Sequence, residues 1–337
     1  MDTSVMITLG FLVFAIVMFA WEKIPLSITA MVVAVGLHLS GVLSAKEAFA
    51  GFVDPNVLLF MGMFVIGEAF FATGVAVGVG NVVHKFAKTE TSLLVAVMMI
   101  TGILSGFLSN TGTAAVLIPV IIGICKKSGF KQTKLLMPLV FAAAMGGNIS
   151  LIGAPGNMIA QAGLQQAGLG SFGFFDYGLV GLPILIVGTI FYATIGKRFL
   201  PGTPSHQPDG AFEGNDDYSH VPSWKKWTSA LVLILTVGAM IFEKQLGVKL
   251  YVSAWVGALV LVATNVISES AAVRSIDMKT IMLFAGSMAL GDAMVKTGTG
   301  SVIADIIVNS LGASPSPIVV LVVIFVLGVF MTNFMSN

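Results

Sequence analysis

The sequence predicts an all-α polytopic membrane protein: two inverted structural repeats interrupted by helix breaks within the apolar layer. Three observations lead there. Of the 337 residues, 56% are hydrophobic and 10% charged, with a mean hydropathy of +0.98. Soluble domains carry about 25% charged residues, so this chain has too few to wet its own surface. The apolar runs are long and continuous, as membrane helices require, whereas a transmembrane barrel alternates apolar and polar residues in short segments. Finally, segments of the first half recur in the second half in the same order.

The opening MDTSVMITLGFLVFAIVMFAWEK lacks a basic leader and an A-x-A cleavage site, and reads as a retained first helix over 5–21. Further spans are predicted at 25–44, 55–74, 173–196, 227–242, 250–268 and 280–295. Between and after them lie interrupted apolar stretches at 91–125, 135–168 and 301–337. The one long polar run, 197–226, is rich in Pro, Gly, Asp and His and suits an aqueous linker.

That linker separates the repeats. FAWEK (19–23) resembles MIFEK (240–244), and FMGMFVIGEAFFATG (60–74) aligns without gaps to FAGSMALGDAMVKTG (284–298). SGFLSN (105–110) resembles TNFMSN (332–337) after a shift of three residues. Cations gather on the cytoplasmic side of membrane proteins. If 91–125 is a hairpin entering and leaving on one side, thirteen of the 17 lysines and arginines fall on that side, leaving Lys46, Lys244, Lys249 and Lys296. A crossing at 91–125 spoils this separation. Under the hairpin topology the FAWEK end faces the cytoplasm and the MIFEK end faces outside, so the halves are inverted. The predicted division is therefore a first repeat at 1–196, with the re-entrant hairpin 91–125 and broken helix 135–168; a cytoplasmic linker at 197–226; and a second repeat at 227–337. The second repeat stops inside its own copy of the motif, so the expectation is a truncated chain.

The chemistry is expected at the breaks. In hydrocarbon an unsatisfied backbone group costs several kcal/mol, so a break persists only where protein or a water-filled cavity satisfies it. Inverted repeats with broken helices describe secondary transporters. A break at Ser109-Asn110-Thr111-Gly112 exposes carbonyls, which with hydroxyls suit a hard cation such as sodium. It also exposes helix N-terminal amides, which suit an anion. The plain alternative is a loop tip at the membrane surface. The stretch AAAMGGNISLIGAPGNMIAQAG (142–163) holds Gly146, Gly147, Gly153, Pro155 and Gly156, which oppose a continuous helix. It either faces the first tip and completes an ion site or is an ordinary kink closed by neighbouring helices.

The SNT hairpin, the IGxPxN loop (Ile152, Gly153, Pro155, Asn157) and the inverted second SN resemble the divalent anion:sodium symporters, the SLC13-type permeases of the ion transporter superfamily. The resemblance covers nearly the whole chain. It implies re-entrant hairpins and discontinuous helices in both repeats, an elevator-type transport domain and a homodimer in a membrane, with the bacterial inner membrane as the expected location. It implies sodium as coupling ion, with no organic cofactor. One sodium site would use Ser105, Ser109, Asn110 and Gly153; a second, incomplete here, would use Thr332, Ser336 and Asn337. Small anions, di- or tricarboxylates such as succinate or citrate, or sulfate, would be held by Ser109, Asn110, Thr111, Ser336 and Asn337. Ala154 and Gly156 depart from the family's usual hydroxyl residue and second proline. A proton-coupled or arsenite-type permease or channel component, and an inactive fragment, are the alternatives.

Other signals carry less. Glu68 and Asp292 are equivalent acids in predicted spans, either proton-coupling groups or helix-end partners of Lys85 or Lys296. His38, His84, His206 and His220 form no metal spacing. Cys125 is the only cysteine, which excludes an intrachain disulfide. No Walker A sequence is present, and a net charge of +1 gives no sign of nucleic-acid binding. The chain is expected to be a transporter and not an enzyme.

Overall fold

The computed structural model describes residues 2–21, 23–78, 89–128, 130–200, 218–311 and 316–334. Among these, helices and turns make up the fold and no strand occurs. In chain order the longer helices are α1 (Thr3–Trp21), α2 (Leu26–Leu39), α3 (Pro55–Ala72), α4 (Glu90–Ser105), α5 (Asn110–Ser128), α6 (Thr133–Gly146) and α7 (Pro155–Gln166). They continue with α8 (Gly178–Thr194), α9 (Ser223–Ile241), α10 (Leu250–Ala263), α11 (Met278–Thr297), α12 (Thr299–Leu311) and α13 (Pro317–Phe334). α1, α3, α9 and α11 have 18–20 residues and mean hydropathies of 1.2–2.4, long and apolar enough to cross a bilayer. Much of the outer surface is apolar: Leu179, Val187, Ile234, Leu235, Val256 and Leu259 are all exposed, the pattern of side chains facing lipid. Trp224 and Trp227 are exposed beside Lys225 and Lys226 at the start of α9, as at a membrane–water boundary. The chain is an integral membrane protein.

The chain packs as two compact units that interleave along the sequence. The first takes residues 1–57, 162–170 and 277–337. Its centre is α2 against α11, with a core that includes Ala15, Val33, Ala34, Leu37, Ala289 and Ala293. The residues are small because the helices come close: a Cβ added at Gly286 would lie 2.7 Å from the Ala30 Cβ and inside its carbonyl. Between α2 and α3, Ser44 caps a one-turn helix, Ala45–Ala48, in a reciprocal capping box with Glu47. Lys296 closes on the same carboxylate at 2.8 Å.

The second unit takes residues 58–161 and 171–276. α4, α6 and α8 pack on one another, with α5 against α6, around Leu93, Val97, Met98, Leu117, Ile121, Leu135, Leu139 and Leu185. Pro119, Pro138 and Pro183 lie inside α5, α6 and α8, as membrane helices tolerate. α9 pairs with α10, and α3 rests on α10, where a Cβ added at Gly62 would lie 2.7 Å from the Ala254 Cβ.

The two helices carrying the aligned sequences end alike. Thr73 Oγ1 donates to Ala69 O and Thr297 Oγ1 to Ala293 O, each at 2.7 Å. Gly74 and Gly298 follow with φ of 75° and 76°, the left-handed cap conformation that glycine adopts at little cost. Their partners are exchanged, however. α3 of the first half packs on α10 of the second, and α11 of the second packs on α2 of the first. Packing therefore does not divide the chain at 197–226, whose residues 201–217 lie outside the described set.

Candidate functional site

The hairpin breaks one turn before Asn110. α4 ends at Ser105, Gly106 N–H still bonds Gly102 O at 3.1 Å, and residues 106–109 form the turn. Ser109 is the N-cap of the next helix, its Oγ accepting from Gly112 N at 3.1 Å. This corrects the sequence reading, which put the break within Ser109–Gly112: the hydroxyl that weakens a helix interior serves here to start one. Asn110, Thr111 and Thr113 form the first turn of α5 and are not part of the loop.

The second break, residues 147–154, joins α6 to α7 and folds onto this turn. Ser150, wholly buried, donates to the Gly106 carbonyl. Asn157 Nδ2 spans the loop, donating to Gly147 O at 2.8 Å and Ser150 O at 2.9 Å. Tyr177 Oη donates to Asn157 O at 2.7 Å, and Leu151 N to Phe174 O at 2.9 Å. The Gly106, Gly147 and Ser150 carbonyls are thus answered by side chains, as a buried loop requires. Glycine allows the approach. A Cβ on Gly146 would fall 2.5 Å from Gly102 Cα, and one on Gly153 would lie 2.5 Å from Gly147 O and 3.0 Å from Gly106 O.

Three oxygens converge on the Asn110 amide: Ser105 Oγ at 2.6 Å, Ala143 O at 3.1 Å and Gly153 O at 3.2 Å. Ser105, wholly buried, gives its own proton to Ala143 O at 2.7 Å. The amide atom facing this group is therefore nitrogen, since an oxygen there would meet mostly acceptors. The predicted residues Ser105, Asn110 and Gly153 come together here. Ser109 and Thr111 are exposed on the same turn, and Asn110 is half-buried. Every side chain in the group is neutral, and its oxygens are the hard, uncharged donors that suit sodium.

Several residues of the site were not foreseen from sequence. Ser150 and the Ala143 carbonyl have no local signal, because their contacts span 44 and 38 residues. Thr113, 1% exposed, has an Oγ1 without a hydrogen-bond partner one turn into α5. In the second repeat, Thr332 lies in α13 with its side chain outside the described set; Ser336 and Asn337 are outside it altogether. Lys296 pairs with Glu47, and no described cation forms an ion pair with Asp292 or Glu68. His38 Nδ1 lies 3.2 Å from Leu43 O, the position of a structural histidine.

The model of the citrate transporter family (CitMHS) matches residues 16–337. The chain is 34% identical over 212 residues to the Escherichia coli uncharacterized transporter YfbS, covering 62% of this chain and 35% of that protein. An uncharacterized transporter of Haemophilus influenzae is 26% identical over 349 residues, covering 98% of this chain and 73% of its own length. The probable sodium/sulfate cotransporter 3 of Chlamydomonas reinhardtii is 28% identical over 172 residues, 49% of this chain and 19% of that protein. The chain thus spans about a third of the length of the Escherichia coli relative. These relatives are named as transporters, not enzymes.

Proposed function

The chain belongs to the citrate transporter family, and we propose that it carries small anions across the membrane in symport with sodium. The proposed cargo is a di- or tricarboxylate such as succinate or citrate, or sulfate. One observation carries the reading: Ser105 Oγ, Ala143 O and Gly153 O gather around one rotatable amide, between two helix breaks, with no ionisable side chain among them. The Asn110 nitrogen donates to these oxygens and holds the hairpin on the facing loop. With sodium bound, Asn110 would turn its oxygen inward and join them as a ligand. The site would then gain a positive charge beside the first turn of α5, where Ser109 and Thr111 are open to an anion and the helix N-terminus favours one. Because the site itself is neutral, cation and anion each offset the charge of the other, which couples their binding. The reading also draws on the sodium/sulfate name of one relative. We further propose a second sodium site at Thr332, Ser336 and Asn337, a homodimer, elevator-type movement and residence in a bacterial inner membrane.

The test is uptake of labelled succinate, citrate, sulfate and arsenite by proteoliposomes, with and without a sodium gradient. One of the first three should accumulate only with sodium. Asn110→Ala should abolish that accumulation, and normal uptake with unchanged sodium affinity in this variant would refute the site. Arsenite uptake indifferent to sodium would favour the arsenite-type alternative.

A further inference from the structure

A second polar site lies at the far end of the hairpin's first arm. Fifteen residues separate Glu90 from Ser105, about 22 Å along α4 at 1.5 Å per residue, so this site is distinct from the sodium group. A cavity of about 460 Å³ opens there between the start of α4, the start of α6 and the residues following α8. Its polar wall is Glu90, Thr91, Lys134, Lys197 and Arg198, and two leucines, Leu94 and Leu200, complete it.

The charges around it do not balance. Lys134 Nζ lies 3.2 Å from Glu90 Oε1 and is neutralised by it. Lys197 donates to the neutral Thr91 Oγ1 at 3.0 Å. Among the described residues no carboxylate pairs with Lys197 or with Arg198, although they are adjacent in the 3₁₀ turn Gly196–Arg198. Among the described residues, two cations without a carboxylate partner therefore line one concavity, and the N-terminus of α4 adds its partial positive charge. Adjacent in the chain and both on the cavity wall, they offer two positive charges to one anion. The arginine fork matches a tetrahedral oxyanion and the lysines add point charges. Basic pockets between membrane helices on the cytoplasmic side bind phospholipid headgroups by the same chemistry.

We propose that this cavity binds a phosphate group, clasped by Lys197 and Arg198, with Glu90 limiting its affinity. The group could belong to an anionic phospholipid of the surrounding leaflet or be free in the cytoplasm, and the experiment separates the two.

Thermal unfolding of the purified protein is followed in two titrations: phosphatidylglycerol added to phosphatidylcholine nanodiscs, and inorganic phosphate added in neutral detergent. Stabilisation by phosphatidylglycerol alone identifies a headgroup site; stabilisation by inorganic phosphate as well identifies a site for the free anion. At about 1 kcal/mol per cation, or roughly fivefold in affinity, the double substitution Lys197→Gln, Arg198→Gln should raise the half-saturating concentration about 25-fold. The charge-retaining exchange Lys197→Arg should leave it nearly unchanged, as should Lys225→Gln with Lys226→Gln, which lie outside the cavity wall. Glu90→Gln should lower it severalfold, whereas a merely structural role for Glu90 would lower stability without tightening binding. The proposal is overturned if neither probe stabilises the parent, if the double variant binds as tightly as the parent, or if Glu90→Gln weakens binding.

Discussion

Replacing Gly153 with alanine tests how the two breaks fit together. The added methyl would sit 2.5 Å from Gly147 O and 3.0 Å from Gly106 O, and both neighbours are backbone atoms that cannot swing aside. Relieving the nearer contact requires a movement of about 0.5–1 Å by the loop or the hairpin turn. Such overpacking costs about 1–3 kcal/mol. The same movement carries Gly153 O, a proposed sodium ligand, away from Ser105 Oγ and Ala143 O, so the strain falls on the sodium-bound arrangement. With tenfold per 1.4 kcal/mol, half-maximal sodium for uptake should rise ~10-fold, with a lower unfolding temperature. Gly156 supplies the control. Three residues away at the start of α7, a Cβ there meets nothing within 4 Å, so Gly156→Ala should leave both measurements near those of the parent. Sodium-dependent uptake in proteoliposomes and thermal unfolding in detergent are the two assays. If Gly153→Ala and Gly156→Ala behave alike in both, the close approach of loop and hairpin is wrong.

Three further outcomes are expected. Ser150→Ala removes the donor to the Gly106 carbonyl and leaves that group unanswered in a buried turn, a loss of about 1–3 kcal/mol visible as earlier thermal unfolding. Tyr177→Phe keeps the ring against Phe172, 4.9 Å between centroids, but loses the bond to Asn157 O, so denaturant unfolding should show a deficit of about 1 kcal/mol. Hydrogen bonds from Lys296 and then Ser44 hold the Glu47 carboxyl down at about 2, against an ordinary 4.5. Its stabilising contribution is therefore complete above about pH 4.5 and is lost as pH falls through about 2. The pair is solvent-exposed, so the effect is small. The unfolding temperature of Glu47→Gln should sit slightly below the parent at neutral pH and meet it near pH 2.

The helix breaks were legible because their cause is local. Gly146, Gly147, Gly153 and Pro155 weaken a helix wherever they stand, and an apolar setting turns that weakness into a site. The break beside Asn110 was misplaced by one turn because a serine reads the same whether it interrupts a helix or caps one. Only the bond from Gly112 N decides between them. Ser150, Ala143 and the Glu47 partner of Lys296 escaped notice for a different reason: each meets a residue far along the chain, and such meetings leave no periodicity behind. The repeat was readable in FMGMFVIGEAFFATG and its copy, but not the exchange of packing partners. That depends on which small-residue faces meet, and Gly62 and Gly286 look alike in both copies.

That exchange makes each half of the chain the other's scaffold. A ribosome that has finished only the first half has made α2 and α3 but not α11 and α10, the surfaces that cover Ala30 and Gly62. Until those emerge, the close-fitting stripes face lipid, so a half expressed alone should be short-lived. Two halves made as separate polypeptides in one membrane should find each other without a covalent link, since the α2–α11 and α3–α10 contacts that bind them lie in the helices.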